Sequence, residues 1–317
     1  MKRTVKTKVE NAAAGKPLKD YLQERFTYHT PQEWAELIYD GRVCINGNIV
    51  SPAHPLQIGD IIEYHVQNIP EPDVDRHYRI IYEDDYLLAV DKPGNLPCHP
   101  AGAFFHNTLW AILQKDKLCL KPRFVSRLDR ETSGVVLIAK TAAGHRRCQA
   151  AARKGQIQKI YKVMVGGVFP ETLRARGKLV PDPESSVRKK QRFLPLNQVS
   201  HTSPDGILCE TLFKRLETKQ NVSMVEAELI TGRQHQIRAT LYSLGYPVVG
   251  DKLYGIDDTC FLRFIDNKLT ETDQHRLRLD RQALHATELH FPHPHTGKRL
   301  TLTSPLPATL QVPVKTV

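Results

Sequence analysis

A single carboxylate stands between two guanidiniums in the stretch Ser126-Arg127-Leu128-Asp129-Arg130-Glu131-Thr132-Ser133-Gly134. A cation within contact distance favours the ionised form of an Asp by about 1–3 pKa units. Gly134 permits a tight turn, and the apolar run Val135–Ala139 after it reads as a buried strand. An ionised Asp on a rigid strand edge in basic surroundings suits chemistry on a polyanion. The plainer reading is an ordinary surface ion pair, so the rest of the chain decides between them.

Two further segments bear on that choice. In Lys159-Ile160-Tyr161-Lys162-Val163, strand alternation puts Lys159, Tyr161 and Val163 on one face. Tyr161 then offers a ring and a hydroxyl to any cleft on that face. Leu229-Ile230-Thr231-Gly232-Arg233-Gln234-His235-Gln236-Ile237-Arg238 starts as a strand, turns at Gly232 and enters a helix to about Leu244. Arg233, at the junction, is placed to pin an ionised carboxylate bidentately. His285 and His290 lack metal-ligand spacing and read as structural, so no metal is expected.

The charge distribution favours the polyanion. The 317-residue chain has a net charge of +11, yet residues 121–240 alone carry 23 basic against 10 acidic side chains. The whole excess sits in the block that holds Asp129, the footprint expected of a nucleic-acid surface. The six cysteines are scattered with no Cys-x-x-Cys, which argues against zinc and disulfides and fits a reducing cytoplasm. No apolar run is long enough to span a membrane. Neither a Rossmann nor a P-loop glycine motif is present, so no nucleotide cofactor is expected.

At 40% hydrophobic residues the chain supports about two domains. Residues 1–15 read as a flexible basic tail. Residues 16–66 read as a small unit with a helix carrying Leu18, Tyr21, Leu22 and Phe26. A second helix starts at Thr30-Pro31-Gln32-Glu33, a capping box with Pro at its first position, and ends at Gly41. The strand Val43–Ile45, the turn Asn46-Gly47 and the turn Gly59-Asp60 follow. Residues 67–78 read as an acidic, proline-rich linker. Residues 79–317 alternate short strands with few helices, one from Thr108 to about Gln114 and a basic one from about Ala142 to Arg153. That pattern predicts an α+β domain on a mostly antiparallel, mixed sheet with flanking helices and a central cleft.

Residues 14–66, with Gly41-Arg42-Val43-Cys44-Ile45-Asn46-Gly47 and Gly59-Asp60, resemble the S-four (alpha-L) RNA-binding domain. Their charge is balanced, so a basic face would have to be local: Lys16, Lys19, Arg25 and Arg42. In the larger domain, Arg127 through Gly134, Lys159-x-Tyr161, Leu229-x-Thr231-Gly232-Arg233-x-His235-Gln236-Ile237-Arg238 and Gly250-Asp251-x-x-Tyr254-Gly255 resemble the ordered motifs of RluA-type RNA pseudouridine synthases. Ile81-Tyr82-Glu83-Asp84, Asp91-Lys92-Pro93-Gly94 and His99-Pro100 fit the opening of that family. The resemblance spans about residues 14–300. It departs at Ser126, where family members usually carry His.

The resemblance implies the pseudouridine synthase fold and an isomerisation of uridine that needs no cofactor. By it, Asp129 matches the catalytic aspartate, Tyr161 the tyrosine that lies against the target base, and Arg233 the basic residue that pairs with the aspartate. It leaves open whether Asp129 attacks C1′ or deprotonates C2′. Candidate RNA contacts are Arg127, Arg130, Lys159, His235, Gln236, Arg238, Arg146, Arg147, Lys16 and Arg42. The loop with Arg188, Lys189, Lys190 and Arg192 is a further candidate. The expected partner is structured RNA, ribosomal RNA of the large subunit first and transfer RNA second, met by a cytoplasmic monomer. The alternative is an RNA-binding assembly factor with a vestigial pocket.

Overall fold

The computed structural model describes residues 3–26, 29–66, 71–199 and 205–310. The chain divides into two compact units, one of residues 1–72 with 101–105, the other of 73–100 with 106–317.

In the first unit, β1 (Arg3–Lys8), β2 (Val43–Ile45), β3 (Asn48–Ile49) and β4 (Ile61–Val66) form a four-stranded sheet in the order β1-β4-β2-β3. Helices α1 (Leu18–Arg25) and α2 (Pro31–Tyr39) pack Leu18, Leu22, Trp34 and Ile38 into one core with Val43 and Ile62. The capping box of α2 forms as the spacing requires, with Thr30 and Glu33 each accepting from the other's backbone. Asn46 and Gly47 turn with positive φ. The Asn46 side chain joins this turn to the next by donating to Asp60 Oδ1 and accepting from Ile61 N, both at 2.9 Å.

The expected tail at 1–15 is corrected by this sheet. Residues 3–8 pair antiparallel with β4, and Val9 is buried beside Asp60. Exposure alternates from Thr4 to Val9 with the lysines outward, a strand period hidden by the basic composition. Residues 1–2, and 67–70 of the expected linker, lie outside the described residues. Phe105 N donates to Glu71 Oε2 at 2.8 Å, tying the 101–105 loop into this unit.

The second unit is built on an eleven-stranded sheet. Its elements are β5 (Arg79–Glu83), β6 (Leu87–Lys92), α3 (Leu109–Lys115), β7 (Arg123–Phe124), β8 (Ser133–Ala139), α4 (Ala142–Arg153), β9 (Gln158–Gly166), β10 (Thr172–Pro181), β11 (Gln191–Pro195), β12 (Ile207–Lys219), β13 (Val222–Leu229), α5 (Gln236–Ser243), α6 (Asp258–Ile265), α7 (Glu271–Leu277), β14 (Leu284–Pro292) and β15 (Arg299–Thr303). The order is β11-β10-β12-β13-β9-β14-β8-β6-β5, with β15 on β14 and β7 on β8. Among the described residues β14 and β8 form the parallel pair, and the remaining pairs of this sheet are antiparallel. The expectation of a mostly antiparallel mixed sheet therefore holds.

Register places Gly134 of β8, Ala286 of β14, Tyr161 of β9 and Ala227 of β13 in one row. Directly paired residues share a face, so Tyr161 is flanked by alanines. Gly134 does more than turn the chain. Its φ is +111°, and a Cβ there would lie 2.2 Å from Ala286 O. Only glycine lets β14 come this close.

Val136 and Ile138 of β8 pack with α3, and Val163 and Tyr161 pack with α5. Both cores lie on the Tyr161 face, and Leu128 packs against each. The opposite face is covered by α4 and β15 through Val135, Leu137, Cys148 and Leu302. All six cysteines are free and buried. No helix among the described residues is long and apolar enough to cross a membrane.

Candidate active site

Asp129 sits in the loop between β7 and β8, wedged between the two cores by Leu128. The loop is fastened at several points. Leu96 N and Lys92 Nζ donate to Arg130 O at 3.0 and 3.2 Å. Arg281 Nη1 donates to Glu131 O at 3.1 Å, and Gln282 Nε2 to Thr132 Oγ1 at 2.5 Å. Lys252 Nζ meets Glu131 Oε1 at 2.6 Å, and Ser133 Oγ is bonded to His285 Nδ1 at 2.8 Å. The loop is therefore ordered by backbone carbonyls and short polar contacts, and the Asp129 side chain keeps 29% of its surface exposed.

The cation on Asp129 is Arg238. Its Nη1 donates to Asp129 Oδ2 at 2.7 Å. Its Nε and Nη2 grip Asp251 Oδ2 and Oδ1 at 2.6 and 2.8 Å. Asp251 is fully buried and also accepts from Leu253 N and Tyr254 N at 2.9 and 3.0 Å. The guanidinium lies 5.0 Å from the Tyr254 ring centroid. A cation in the first turn of α5 opposes the helix dipole, and the bidentate carboxylate offsets that. Gly250 and Gly255 allow the turn, since a Cβ would meet Arg281 O at 2.1 Å or Asp251 O at 2.2 Å.

This corrects the expected pairing. Arg233 is exposed and its Nε donates to Leu208 O at 3.2 Å. The helix begins three residues later, so it is the first-turn Arg238 that points inward. The flanking arginines do not hold Asp129 either. Arg127 is exposed, and the Arg130 guanidinium lies 4.4 Å over the Phe264 ring.

Burial pushes the Asp129 carboxyl upward, but the charge and hydrogen bond of Arg238 outweigh it and hold the group below the usual range. His235 Nε2 is 3.8 Å from Asp129 Oδ1. Burial drives this imidazole down to about 4, so it is neutral near pH 7, and the pull on Asp129 comes first from Arg238, with a smaller share from Lys92. His235 Nδ1 is bonded to Tyr254 Oη at 3.0 Å, and Tyr254 Oη accepts from Gln191 N at 3.1 Å.

Tyr161 is 7% exposed. Burial first, then the nearby Asp129 charge and Cys98, raise its phenol well above the ordinary value. The hydroxyl stays protonated at neutral pH. The ring is thus an apolar wall with a donor, and its protonated hydroxyl makes a poor base. Lys159, two residues earlier on the same face, is lowered by burial, and its Nζ would lie 3.1 Å from a Cβ at Gly232. Lys92, fully buried under the loop and tied to Pro93 O, Leu96 O and Arg130 O, is brought by burial down to about 8.

The candidate RNA contacts separate into groups. Gln236 is 2% exposed and uses its amide on Thr231, Arg233 N, Glu210 O and Thr211. It braces the turn before α5. Arg238 and His235 are likewise interior, which corrects their expected place on the RNA surface. Arg146 and Arg147 lie on α4, across the sheet from Asp129, with Arg147 Nη1 donating to Pro294 O at 2.9 Å. In the first unit Lys16 is paired with Glu24 at 2.5 Å and Arg25 lies over Tyr21 and Phe26. His65 N donates to the Arg42 carbonyl at 2.7 Å. Ser126 is half-buried at the rim of the Asp129 loop. Asp251, Tyr254 and Lys92 were visible in the sequence only as motif members; no spacing rule assigned them contacts.

Residues 86–243 match the family model described as RNA pseudouridylate synthase. The chain is 32% identical to an uncharacterised RNA pseudouridine synthase of Synechocystis sp. over 94% of its own length and 97% of the relative's. It is 30% identical to the ribosomal large subunit pseudouridine synthase D of Pseudomonas aeruginosa, over 92% of this chain and 89% of that one. The solved structure of human RNA pseudouridylate synthase domain containing 1 superposes with a TM-score of 0.57 at 22% identity. That match covers 74% of this chain and 86% of the human one, a likeness of fold.

Proposed function

Since the chain belongs to the RNA pseudouridine synthase family, enzymes that isomerise uridine within RNA, we propose that Asp129 is its catalytic carboxylate. The observation that carries this is the 2.7 Å bond from Arg238, itself locked by Asp251. The reaction breaks the bond between uracil N1 and ribose C1′, turns the base, and joins C5 to C1′; C5 then loses its proton and N1 ends protonated, so the product is an isomer of the substrate. Attack on C1′ and deprotonation of C2′ both demand an ionised aspartate, which Arg238 supplies. Glycosidases use a second carboxylate to activate water; here no water enters the product, so one suffices.

In this reading Tyr161 presents its ring to the uracil in the space left by Ala227 and Ala286. The target uridine leaves its stack at a cost of a few kcal/mol. The exposed Arg127 fills the vacated space or clamps a neighbouring phosphate. The first unit, with its helix–helix–hairpin, serves as an S-four-type RNA-binding module. The substrate we favour is large-subunit ribosomal RNA in the cytoplasm, supported by similarity along nearly the whole chain to a large-subunit enzyme. Carbodiimide-stop sequencing of RNA from cells with the wild-type protein or Asp129→Asn tests both points. A stop lost from a large-subunit uridine is expected. A stop lost from transfer RNA moves the substrate, and no lost stop removes Asp129 from its role.

A further inference from the structure

The loop between β10 and β11 brings two lysines to the site and treats them differently. Lys190 is buried, its Nζ held by Asp258 Oδ1 at 2.6 Å and lying 4.8 Å from the Tyr242 ring centroid. Ser185 of the same loop also bonds Asp258, and Val187 enters the core. The loop is thereby bolted to the start of α6. Lys189 is left exposed, with its Nζ 4.7 Å over the ring of Phe261. One helical turn on, Phe264 carries Arg130 at 4.4 Å and Lys252 at 4.7 Å. Residues three apart on a helix share a face, so α6 presents an aromatic ledge lined with cations.

The charges on this ledge are not equivalent. Lys190 is neutralised by Asp258, and Lys252 by Glu131. No carboxylate lies within ion-pair distance of Lys189 among the described residues. Desolvation against the Phe261 ring and the charges of Arg238 and Arg130 disfavour its protonated form, while Asp129 favours it. By geometry the ammonium shares the α6 ledge with Arg130, the residue next to the reacting carboxylate in the chain. An aromatic face steadies a cation without neutralising it, which leaves its charge available to an incoming anion. The anions that a substrate must bring to Asp129 are the phosphodiesters on either side of the reacting ribose.

We propose that Lys189, seated on Phe261 beside Arg130, forms a binding site for an RNA phosphodiester flanking the target uridine. The inference rests on Asp129 being the reacting carboxylate, and it names a contact outside that chemistry. The site orders the backbone next to the flipped nucleotide; Lys189 touches neither the base nor C1′.

The test uses the full chain and the trinucleotide UpUpU as probe, against its analogue with both linkages replaced by neutral methylphosphonates. Calorimetry at low salt compares wild type, Lys189→Ala, Lys189→Arg and Phe261→Leu. The wild type is expected to prefer the charged trinucleotide by about tenfold, the scale of one charge-assisted hydrogen bond. Lys189→Ala should erase most of that preference, Lys189→Arg should keep it, and Phe261→Leu should fall between. A wild type with no preference, or a Lys189→Ala protein that retains it in full, overturns the proposal. Lys189 is exposed, so thermal melting should confirm an intact fold. The measurement needs no turnover, so its failure is distinguishable from failure of the Asp129 reading, which the RNA mapping tests.

Discussion

Replacing Arg238 by Lys should shift the pH at which the enzyme works before it abolishes work altogether. The guanidinium bridges two carboxylates, donating once to Asp129 and twice to Asp251. A lysine ammonium keeps the charge but cannot span both in this geometry. With Asp251 fully buried and further anchored by Leu253 N and Tyr254 N, the ammonium should stay with Asp251. Asp129 then loses a charge-assisted hydrogen bond of about 1.5–3 kcal/mol. At about 1.36 kcal/mol per pKa unit, that raises its carboxyl by roughly one to two units. In the wild type the folded carboxyl is depressed. Its ionised form, and the stability it confers, persist until pH falls through that depressed value. In Arg238→Lys the acid limb of kcat/KM should therefore move up by about one to two pH units. Loosened positioning should lower the plateau by about tenfold to a hundredfold. Weakening the Asp251 pair should also cost about 3 kcal/mol of stability, so melting must be measured first and assays run well below the transition. An acid limb that stays in place in Arg238→Lys, but moves in Arg233→Ala, would refute the assignment.

Other outcomes follow from the same geometry. Tyr161→Phe keeps the ring and should retain RNA binding, with the alkaline side of the pH profile unchanged because the phenol is already protonated there. On the role proposed for Tyr161, Tyr161→Ala should remove activity in single-turnover assays, because the wall between Ala227 and Ala286 is lost. Gly134→Ala places a methyl against Ala286 O at a φ of +111°. Denaturant unfolding should report a loss of about 3 kcal/mol or more, because β8 and β14 must separate.

The sequence by itself determined the parts whose signals are local. The capping box at Thr30 and Glu33, the Asn46-Gly47 turn, the bounds of α4 and the buried strand after Gly134 were all legible. Each rests on side chains interacting within a few residues, or on a period that one strand or helix imposes. The same holds for Asp129 and Tyr161 as candidates, since their motifs and the basic block around them are linear features. Tertiary structure decided what faces what. Arg233 looked suited to Asp129 because it stands at a turn, yet where α5 begins sets which arginine enters the interior, and Arg238 does. Gly134 looked like a turn residue, but the approach of β14, some 150 residues away in sequence, is what forbids a Cβ there. Arg146 and Arg147 share the basic block with Asp129, and the sheet separates them from it. Charge in a sequence is a property of composition; its direction follows from which face of a strand or helix is buried, and long-range pairing alone fixes that.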